Sequence, residues 1–534
     1  MCRSLLVLLC AIGTSAGVAQ TNRYFVFFKD KTGTPYTLTQ PADYLSAKSI
    51  ARRQQQQISL NEKDLPVNPA YVQQVRDVGV ATFFTSKWFN GVLIQATETE
   101  VPALEALSCV QHVELVAPGQ RLSNGRTKKI RARNQTESDE PANLFQLQQL
   151  GLTAMHQQGY RGESIAIAVF DAGFQGVDVT APFALLTGEG RLKHTYNFVT
   201  NTPNVFTADD HGTEVLSVMA AYSEGLYTGG AYKADFYLYL TEDVASEYRI
   251  EEFNWTFAAE KADSAGVQII NSSLGYNLFD NPAMNYTTAQ LDGATAIVTR
   301  AARMATERGM LVVCSAGNEG SVAWKFVTPP ADAAGVLATG AITAAATRSP
   351  FSSIGPTADG RLKPDVVALG SGTTVIRASG ALGTTSGTSL ASPLVASLAA
   401  GVWQSYPNLT AAEVYNALTQ SASQSSAPDN LLGYGIPHFQ AVVNYLTPPP
   451  QPQTLSVFPN PVVGNTFFIQ VPEIEDPIEV VIFDSKGSKV SEVRLQVNWQ
   501  NNPFEYDLAT LQAGLYYVRL KAGNRQATVR IMKQ

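Results

Sequence analysis

Thr384-Thr-Ser-Gly-Thr-Ser-Leu-Ala-Ser-Pro393 opens an apolar, alanine-rich run that extends from Leu390 to Trp403. Its small residues permit a tight turn with close approach by another backbone, and the run is long enough for one buried helix. Pro393 is expected in the first turn of that helix, where a missing amide hydrogen costs little. The stretch therefore presents one hydroxyl, that of Ser389, at a helix N-terminus, where free amides and the positive dipole end help to hold an oxyanion. Taken locally, the same residues also suit plain N-capping. The surrounding chain decides between the two.

Around this stretch, residues 143–447 alternate short apolar strands with helices. Strands are expected at 164–170, 236–240, 267–271, 310–314 and 336–341, with helices at 249–265 and 294–308. Near-continuous apolar strands separated by helices indicate a parallel sheet covered on both faces, with working residues beyond the carboxyl ends of the strands.

On the N-terminal side, residues 24–122 read as strand, two helices, two strands, helix and strand, a small α+β domain of possible ferredoxin-like order. Residues 123–142 are polar and charged, running from Arg126-Thr-Lys-Lys-Ile-Arg-Ala-Arg133 into Glu137-Ser-Asp-Glu140, and suit an exposed linker open to proteolysis. The basic cluster could alternatively bind a polyanion. On the C-terminal side, Thr447-Pro-Pro-Pro-Gln-Pro-Gln453 is a stiff linker, with 448–453 as its core. Beyond it, residues 454–534 hold strand-like runs at 466–471, 478–483, 514–520 and 527–532, which suggests a small all-β sandwich.

A chain of 534 residues exceeds one ordinary core and suggests three or four units. Its net charge of -7 comes with no extended basic face, which argues against nucleic acid as a partner. Residues 1–19 carry Arg3, a short apolar run and Ser15-Ala-Gly-Val-Ala19, the pattern of a cleaved signal peptide, so export is expected. A lipidated Cys10 is the competing reading, which Leu9 does not favour. Cys109 and Cys314 are then the two cysteines left, too few for a disulfide framework, and Cys314 reads as a buried strand thiol.

Three places in the central region suit chemistry. Asp171 ends the strand Ile165-Ala-Ile-Ala-Val-Phe170 and precedes Ala172-Gly173. His211 follows Asp209-Asp210 and opens a helical run, where a nearby carboxylate would favour the imidazolium and the helix N-terminus would oppose it. Asn318 lies in Ser315-Ala-Gly-Asn-Glu-Gly320 after a strand; it suits a turn, yet its amide could also donate into a cleft.

Taken together, the strand into Asp171-Ala-Gly173, His211-Gly-Thr213, Asn271-Ser-Ser-Leu-Gly275, Ala316-Gly-Asn-Glu-Gly320, Lys363-Pro-Asp-Val366 and Gly387-Thr-Ser-Leu-Ala-Ser-Pro393 resemble the subtilase (subtilisin-like) family of serine proteases. The resemblance implies a subtilisin-like parallel sheet with helices on both faces. It also implies a catalytic triad of Asp171, His211 and Ser389, an oxyanion donor at Asn318, and cleft walls at Ser273, Leu274, Gly275, Ser315, Ala316 and Gly317 that pair with protein or peptide substrates. Glu319, beside Asn318, would suit a basic side chain.

The flanks acquire meaning in the same way. Residues 20–122, with Ser49-Ile-Ala-Arg-Arg53, Asp64-Leu-Pro-Val67 and Ser86-Lys-Trp-Phe-Asn90, resemble a subtilase propeptide, an intramolecular inhibitor and folding aid. Residues 454–534, with Val457-Phe-Pro-Asn-Pro461, Gly514-Leu-Tyr-Tyr-Val518 and Arg530-Ile-Met-Lys533, resemble the C-terminal sorting domain of type IX secretion. An adhesive or carbohydrate-binding sandwich is the alternative there. The expected product is a secreted or cell-surface monomer whose chemistry needs no cofactor. Structural calcium is compatible with the family, although no acidic loop identifies a site. Ala172, Glu214, Leu216 and Leu390 depart from the usual family residues, and Ala172 is expected to cost Asp171 a hydrogen bond. Two rival readings are a catalytically silent binding or adhesion protein of the same fold, and an aspartic protease at Asp171; the latter lacks a second carboxylate loop.

Overall fold

Apolar runs of four to six residues form the central strands of the computed structural model, which describes residues 21–119, 141–447, 456–470, 477–496, 503–522 and 525–534. The signal peptide read at 1–19, the linker read at 123–142 apart from its last two residues, and the linker read at 448–453 lie outside the described residues. The chain divides into two units, residues 1–445 and 446–534.

The first unit begins with β1 (Thr21–Phe28), α1 (Ala47–Gln55), α2 (Pro69–Asp77), β2 (Ala81–Ser86), β3 (Gly91–Thr97), α3 (Val101–Glu105) and β4 (Val110–Ala117). Its antiparallel sheet has the order β2-β3-β1-β4, the ferredoxin-like arrangement. Of the two helices read after the first strand, the first starts at Ala47, because the Ser46 hydroxyl accepts from the Ser49 amide and caps α1 there. Strand periodicity gives β1 two apolar faces: Tyr24, Val26 and Phe28 pack on this domain's own helices, while Phe25 and Phe27 join the large central core.

The chain continues with α4 (Leu144–Gln149), α5 (Leu152–Gln157), β5 (Ala166–Asp171), α6 (Ala184–Gly188), β6 (Leu192–Asn197), α7 (His211–Ala220), the hairpin β7 (Tyr222–Ser223) and β8 (Tyr227–Thr228), β9 (Asp235–Leu240), α8 (Ile250–Ala265), β10 (Ile269–Ser272), α9 (Ile297–Glu307), β11 (Leu311–Ser315), β12 (Leu337–Ile342) and β13 (Val366–Leu369). Seven of these strands form a parallel sheet, β13-β12-β11-β10-β5-β9-β6. Every residue of β5 and of β10 to β13 is buried, so both faces of the sheet are covered, as expected for parallel strands. After the hairpin β14 (Thr373–Ile376) and β15 (Leu382–Thr385) comes α10 (Thr388–Ser405), buried from Thr388 to Trp403 and packed on α7 and β10 to β13; α11 (Ala411–Gln420) and α12 (Phe439–Leu446) follow.

One expectation is corrected here. Because α10 starts at Thr388, Pro393 is its sixth residue and lies in the helix interior rather than the first turn. The missing Pro393 amide would have served the Ser389 carbonyl, which instead accepts from the Ser273 hydroxyl at 2.8 Å.

The N-terminal domain docks on α8 and α9. Phe25 stacks on Phe253 at 4.3 Å between ring centroids, and Arg52 and Arg53 of α1 reach Asp263 at 2.5 and 2.9 Å. Lys87 joins Asp263 at 3.0 Å, while Glu260 accepts from the amides of Lys87 and Trp88 at 2.9 and 3.0 Å. Gly266 ends α8 at φ +87°, and a Cβ there would meet the Ser49 nitrogen of α1 at 2.7 Å, so both conformation and contact demand glycine.

The second unit holds β16 (Ser456–Phe458), β17 (Thr466–Gln470), β18 (Ile478–Asp484), β19 (Lys489–Leu495), β20 (Phe504–Asp507), β21 (Gly514–Ala522) and β22 (Arg525–Lys533). They form two antiparallel sheets, β16-β17-β20 and β19-β18-β21-β22, which share one core of Phe467, Ile469, Val480, Ile482, Val518 and Leu520 among others.

Candidate active site

Asp171 is the last residue of β5 and is fully buried. His211 is the first residue of α7, and its Nδ1 lies 2.7 Å from Asp171 Oδ1. The imidazole therefore donates from Nδ1 and, when neutral, leaves Nε2 free to accept a proton. The His211 amide donates to Asp209 Oδ1 at 2.7 Å, which fixes the start of the helix. Gly212 makes the approach feasible, since a Cβ there would lie 2.8 Å from the Asp171 Cβ.

Asp171 Oδ1 also accepts from the Ala172 amide at 2.8 Å, but its Oδ2 has no partner. A hydroxyl at position 172 would be the natural donor, so the loss expected from Ala172 is visible as an orphaned oxygen. Glu214, the second departure, is compensated: it pairs with Arg377, whose Nη2 also donates to the Thr384 carbonyl at 2.9 Å. Burial raises the Glu214 carboxyl and Arg377 offsets this, so the pair ties α7 to the hairpin that leads into Ser389. Leu216 and Leu390 are core side chains, 0% and 1% exposed.

Ser389 is the second residue of α10 and 6% exposed. Among the described residues no hydrogen bond joins its hydroxyl to His211, although α7 and α10 pack together and catalytic contacts commonly tighten only with substrate bound. A buried relay holds its backbone: Ser392 Oγ donates to Asn271 Oδ1 at 2.8 Å, Asn271 Nδ2 to Ser273 Oγ at 3.2 Å, and Ser273 Oγ to the Ser389 carbonyl. In the first turn of α10, the Thr388 amide donates to Asn318 Oδ1 at 2.9 Å and the Leu390 amide to the Gly387 carbonyl at 3.1 Å. The Ser389 amide sits between them.

Asn318 is exposed, and its Oδ1 also accepts from Thr388 Oγ1 at 3.0 Å. With the oxygen committed, its Nδ2 is the end left to donate. The Gly317 amide donates to Thr388 Oγ1 at 3.3 Å, a further bond between this loop and the start of α10. Of the expected walls, Leu274 is half-buried and its carbonyl accepts from Ser315 Oγ at 3.4 Å, while Gly275 is exposed. The structure brings these two segments together. Ser273 is buried with its hydroxyl committed to Ser389, and Ala316 has both backbone groups bonded, to Thr339 and Thr328. Burial pushes the Cys314 thiol up to about 12, consistent with a packing role.

Sequence reading missed an acidic group. Glu242, Glu247 and Glu251 each place a carboxylate oxygen within 4.8 Å of the others. The available signal was the density of acids in Thr241-Glu-Asp-Val-Ala-Ser-Glu-Tyr-Arg-Ile-Glu-Glu252, directly after a strand; the spacing matches no common ion-binding loop, so it passed unnoticed.

Comparison with known proteins bears on the family and the domains. A family model described as "Subtilase family" matches residues 162–435, just over half of the chain. "Peptidase S8 propeptide domain, Bacteroidota" matches residues 23–136, and "Secretion system C-terminal sorting domain" matches residues 456–534. Subtilisin NAT from Bacillus subtilis subsp. natto is 29% identical over 283 residues, covering 52% of this chain and 66% of the relative. Subtilisin from Bacillus pumilus is 29% identical over 282 residues, covering 52% and 91%. The chain thus spans just under two thirds of the length of the first relative. In fold it is similar to the crystal structure of epidermin leader peptide processing serine protease from Staphylococcus aureus, with a TM-score of 0.57 at 15% identity, covering 81% of this chain and 100% of that one.

Proposed function

The chain belongs to the subtilase family, and on that premise we propose that it is a secreted serine endopeptidase, made as a zymogen, that cleaves peptide bonds through an acyl-enzyme on Ser389. The observation that carries this reading is the Asp171–His211 bond at 2.7 Å standing beside a helix whose first turn holds Ser389 and is stapled to Asn318.

In the forward step, His211 Nε2 takes the proton of the Ser389 hydroxyl as its oxygen attacks the substrate carbonyl. Asp171 holds the ring and stabilises the imidazolium. The oxyanion receives the Asn318 amide and the Ser389 backbone amide. Collapse expels the amine, which leaves with the proton carried by His211, and water then repeats the sequence to release the acid. Leu274, Gly275, Ser315 and Gly317 line the substrate path, while Ser273 and Ala316 support it from behind. Removing the Asn318 donor should cost about 3 to 4 kcal/mol of transition-state stabilisation, the scale found for one oxyanion donor in this class of enzyme.

The proposed organisation is a signal peptide at 1–19, a propeptide at 20–122 that inhibits the enzyme, a processing linker at 123–142, the catalytic domain at 143–447 and a tail at 454–534 read by type IX secretion. The family matches to a propeptide and a sorting domain support this division. The test is reaction of the secreted protein with a fluorophosphonate probe, alongside casein cleavage. Labelling and cleavage that vanish in Ser389→Ala, with the propeptide left uncut, are the expected result. Cleavage that persists in that variant would sink the assignment, and a protein that never labels would be a silent binding protein of the same fold.

A further inference from the structure

The acidic group lies at the edge of the cleft. Leu240 of β9 is in register with Asp171, and the Thr241 amide donates to the Asp171 carbonyl at 3.1 Å, so Glu242 stands one residue beyond that contact. Glu242 Oε1 accepts from the Tyr276 hydroxyl at 2.6 Å, and Tyr276 directly follows the wall segment Ser273–Gly275. Glu242 and Glu247 are half-buried, whereas Glu251, in the first turn of α8, is 1% exposed. Glu251 Oε1 accepts from the Asp243 amide at 2.9 Å, but its Oε2 is buried without a partner. No described lysine or arginine pairs with Glu242 or Glu251. Burial, then the neighbouring Glu247, pushes the Glu242 carboxyl up to about 8. A buried carboxylate oxygen with no donor, inside a cluster of like charges, calls for a cation.

Two cation classes fit the chemistry, a divalent metal and a basic side chain, and position favours the second. The cluster adjoins the proposed nucleophilic site and its wall rather than a distant loop. The chain also supplies the complementary charge nearby. The described N-terminal domain ends at Gly119, and Ala117, Gly119, Asp243 and Tyr248 line one pocket. From Arg121 to Arg133 the sequence then carries six lysines and arginines and no acid.

We infer that Glu242, Glu247 and Glu251 form a specificity pocket for a lysine or arginine side chain of the peptide being cut, and that the chain's own basic segment, residues 121–133, is its first occupant. This rests on the peptidase reading above. The pocket selects substrates with a basic residue a few positions from the scissile bond and directs the first cut to the linker that joins the propeptide to the enzyme. Recognition at this point is by charge and desolvation, so it discriminates strongly against neutral isosteres.

The test is a positional library of fluorogenic peptides with the matured enzyme, in which lysine or arginine is compared with norleucine at each position. One position should show about a tenfold or greater gain in kcat/KM for the basic residue. Glu251→Gln, and Glu247→Gln as the half-buried variant that keeps the test informative if the first misfolds, should each shrink that ratio to about threefold or less. In the precursor, replacing the basic residues of 121–133 with glutamine should slow release of the propeptide by a similar factor. If neutral peptides are cleaved with no basic preference at any position, the inference fails while the peptidase reading stands. If no peptide is cleaved and no fluorophosphonate is bound, the peptidase reading itself fails. Calcium chloride that raises the melting temperature over EDTA, lost in Glu247→Gln, would identify a metal site and overturn the inference.

Discussion

The two ends of α8 carry buried acids in opposite circumstances. At the C-terminal end, Asp263 meets Arg52, Arg53 and Lys87 from the N-terminal domain, and Glu260 accepts two backbone amides from the same domain. At the N-terminal end, Glu251 and Glu242 meet no described lysine or arginine. The helix dipole would favour the reverse, since anions belong at helix N-termini, but it contributes only about 0.3 to 1 kcal/mol. Direct charge pairing wins. Although burial works to raise it, Lys87, Arg52 and Arg53 hold the Asp263 carboxyl well below the usual range, whereas burial with Glu242 and Glu247 lifts Glu251 well above it. The lesson is that the N-terminal domain brings cations to one acidic end of α8 within the described fold, while the other end is left, on the inference above, to a basic side chain of the peptide to be cut.

The comparison is easiest to break at Asp263. In a Ser389→Ala precursor, Asp263→Asn leaves three buried cations short of their anion and should cost about 3 to 5 kcal/mol, read from the denaturant midpoint and from faster proteolysis of the N-terminal domain. A cost below about 1 kcal/mol would make the network decorative. Glu251→Gln in the matured enzyme, inactivated with fluorophosphonate and freed of the basic segment, should act with the opposite sign, raising stability at pH 8 by about 1 to 2 kcal/mol, because the folded state no longer has to take up a proton there.

The pH profiles should diverge likewise. The Asp263 pKa is depressed on folding, so its contribution is complete above about 3.8, the unfolded value, and is lost as pH falls through the lower folded value. Glu252, at the other end of α8, is raised to about 7 by burial. Its folded form binds the proton more tightly, so stability should fall as pH rises from about 4.5 to about 7, and Glu252→Gln should flatten that decline in a melting-temperature series. The smallest effect belongs to a third carboxylate, Asp171, which is satisfied on one oxygen and orphaned on the other. Ala172→Ser offers the missing donor and should add about 0.5 to 1.5 kcal/mol of stability with a modest rise in kcat.

Much of the architecture was legible because the central strands are apolar on both faces, so they read directly from composition. Edge strands escaped: β6 is Leu-Lys-His-Thr-Tyr-Asn and β19 is Lys-Val-Ser-Glu-Val-Arg-Leu, and neither has an apolar run. Asp171, His211, Ser389 and Asn318 could be singled out as candidates because each lies at or just beyond a strand end or in the first turn of a helix, in a distinctive local pattern. What pairs with what was not. Arg52 and Arg53 stood in a recognisable stretch, but their partner Asp263 lies on α8, and only the packed fold joins them. Ser273 was expected as a wall, whereas its hydroxyl serves the carbonyl freed by Pro393, a consequence of where α10 begins. The orphaned Asp171 oxygen, by contrast, followed from one absent hydroxyl at Ala172.

The central helix α10 is buried along nearly its whole length and covers β10 to β13, yet it lies far downstream of the strand and helix that carry Asp171 and His211. During synthesis the strand that carries Asp171 and the helix that carries His211 are therefore made before α10, and Ser389 is supplied last of the three. If Ser389 is the nucleophile proposed above, vectorial synthesis completes the site only after the N-terminal domain that docks on α8 and α9 has been made.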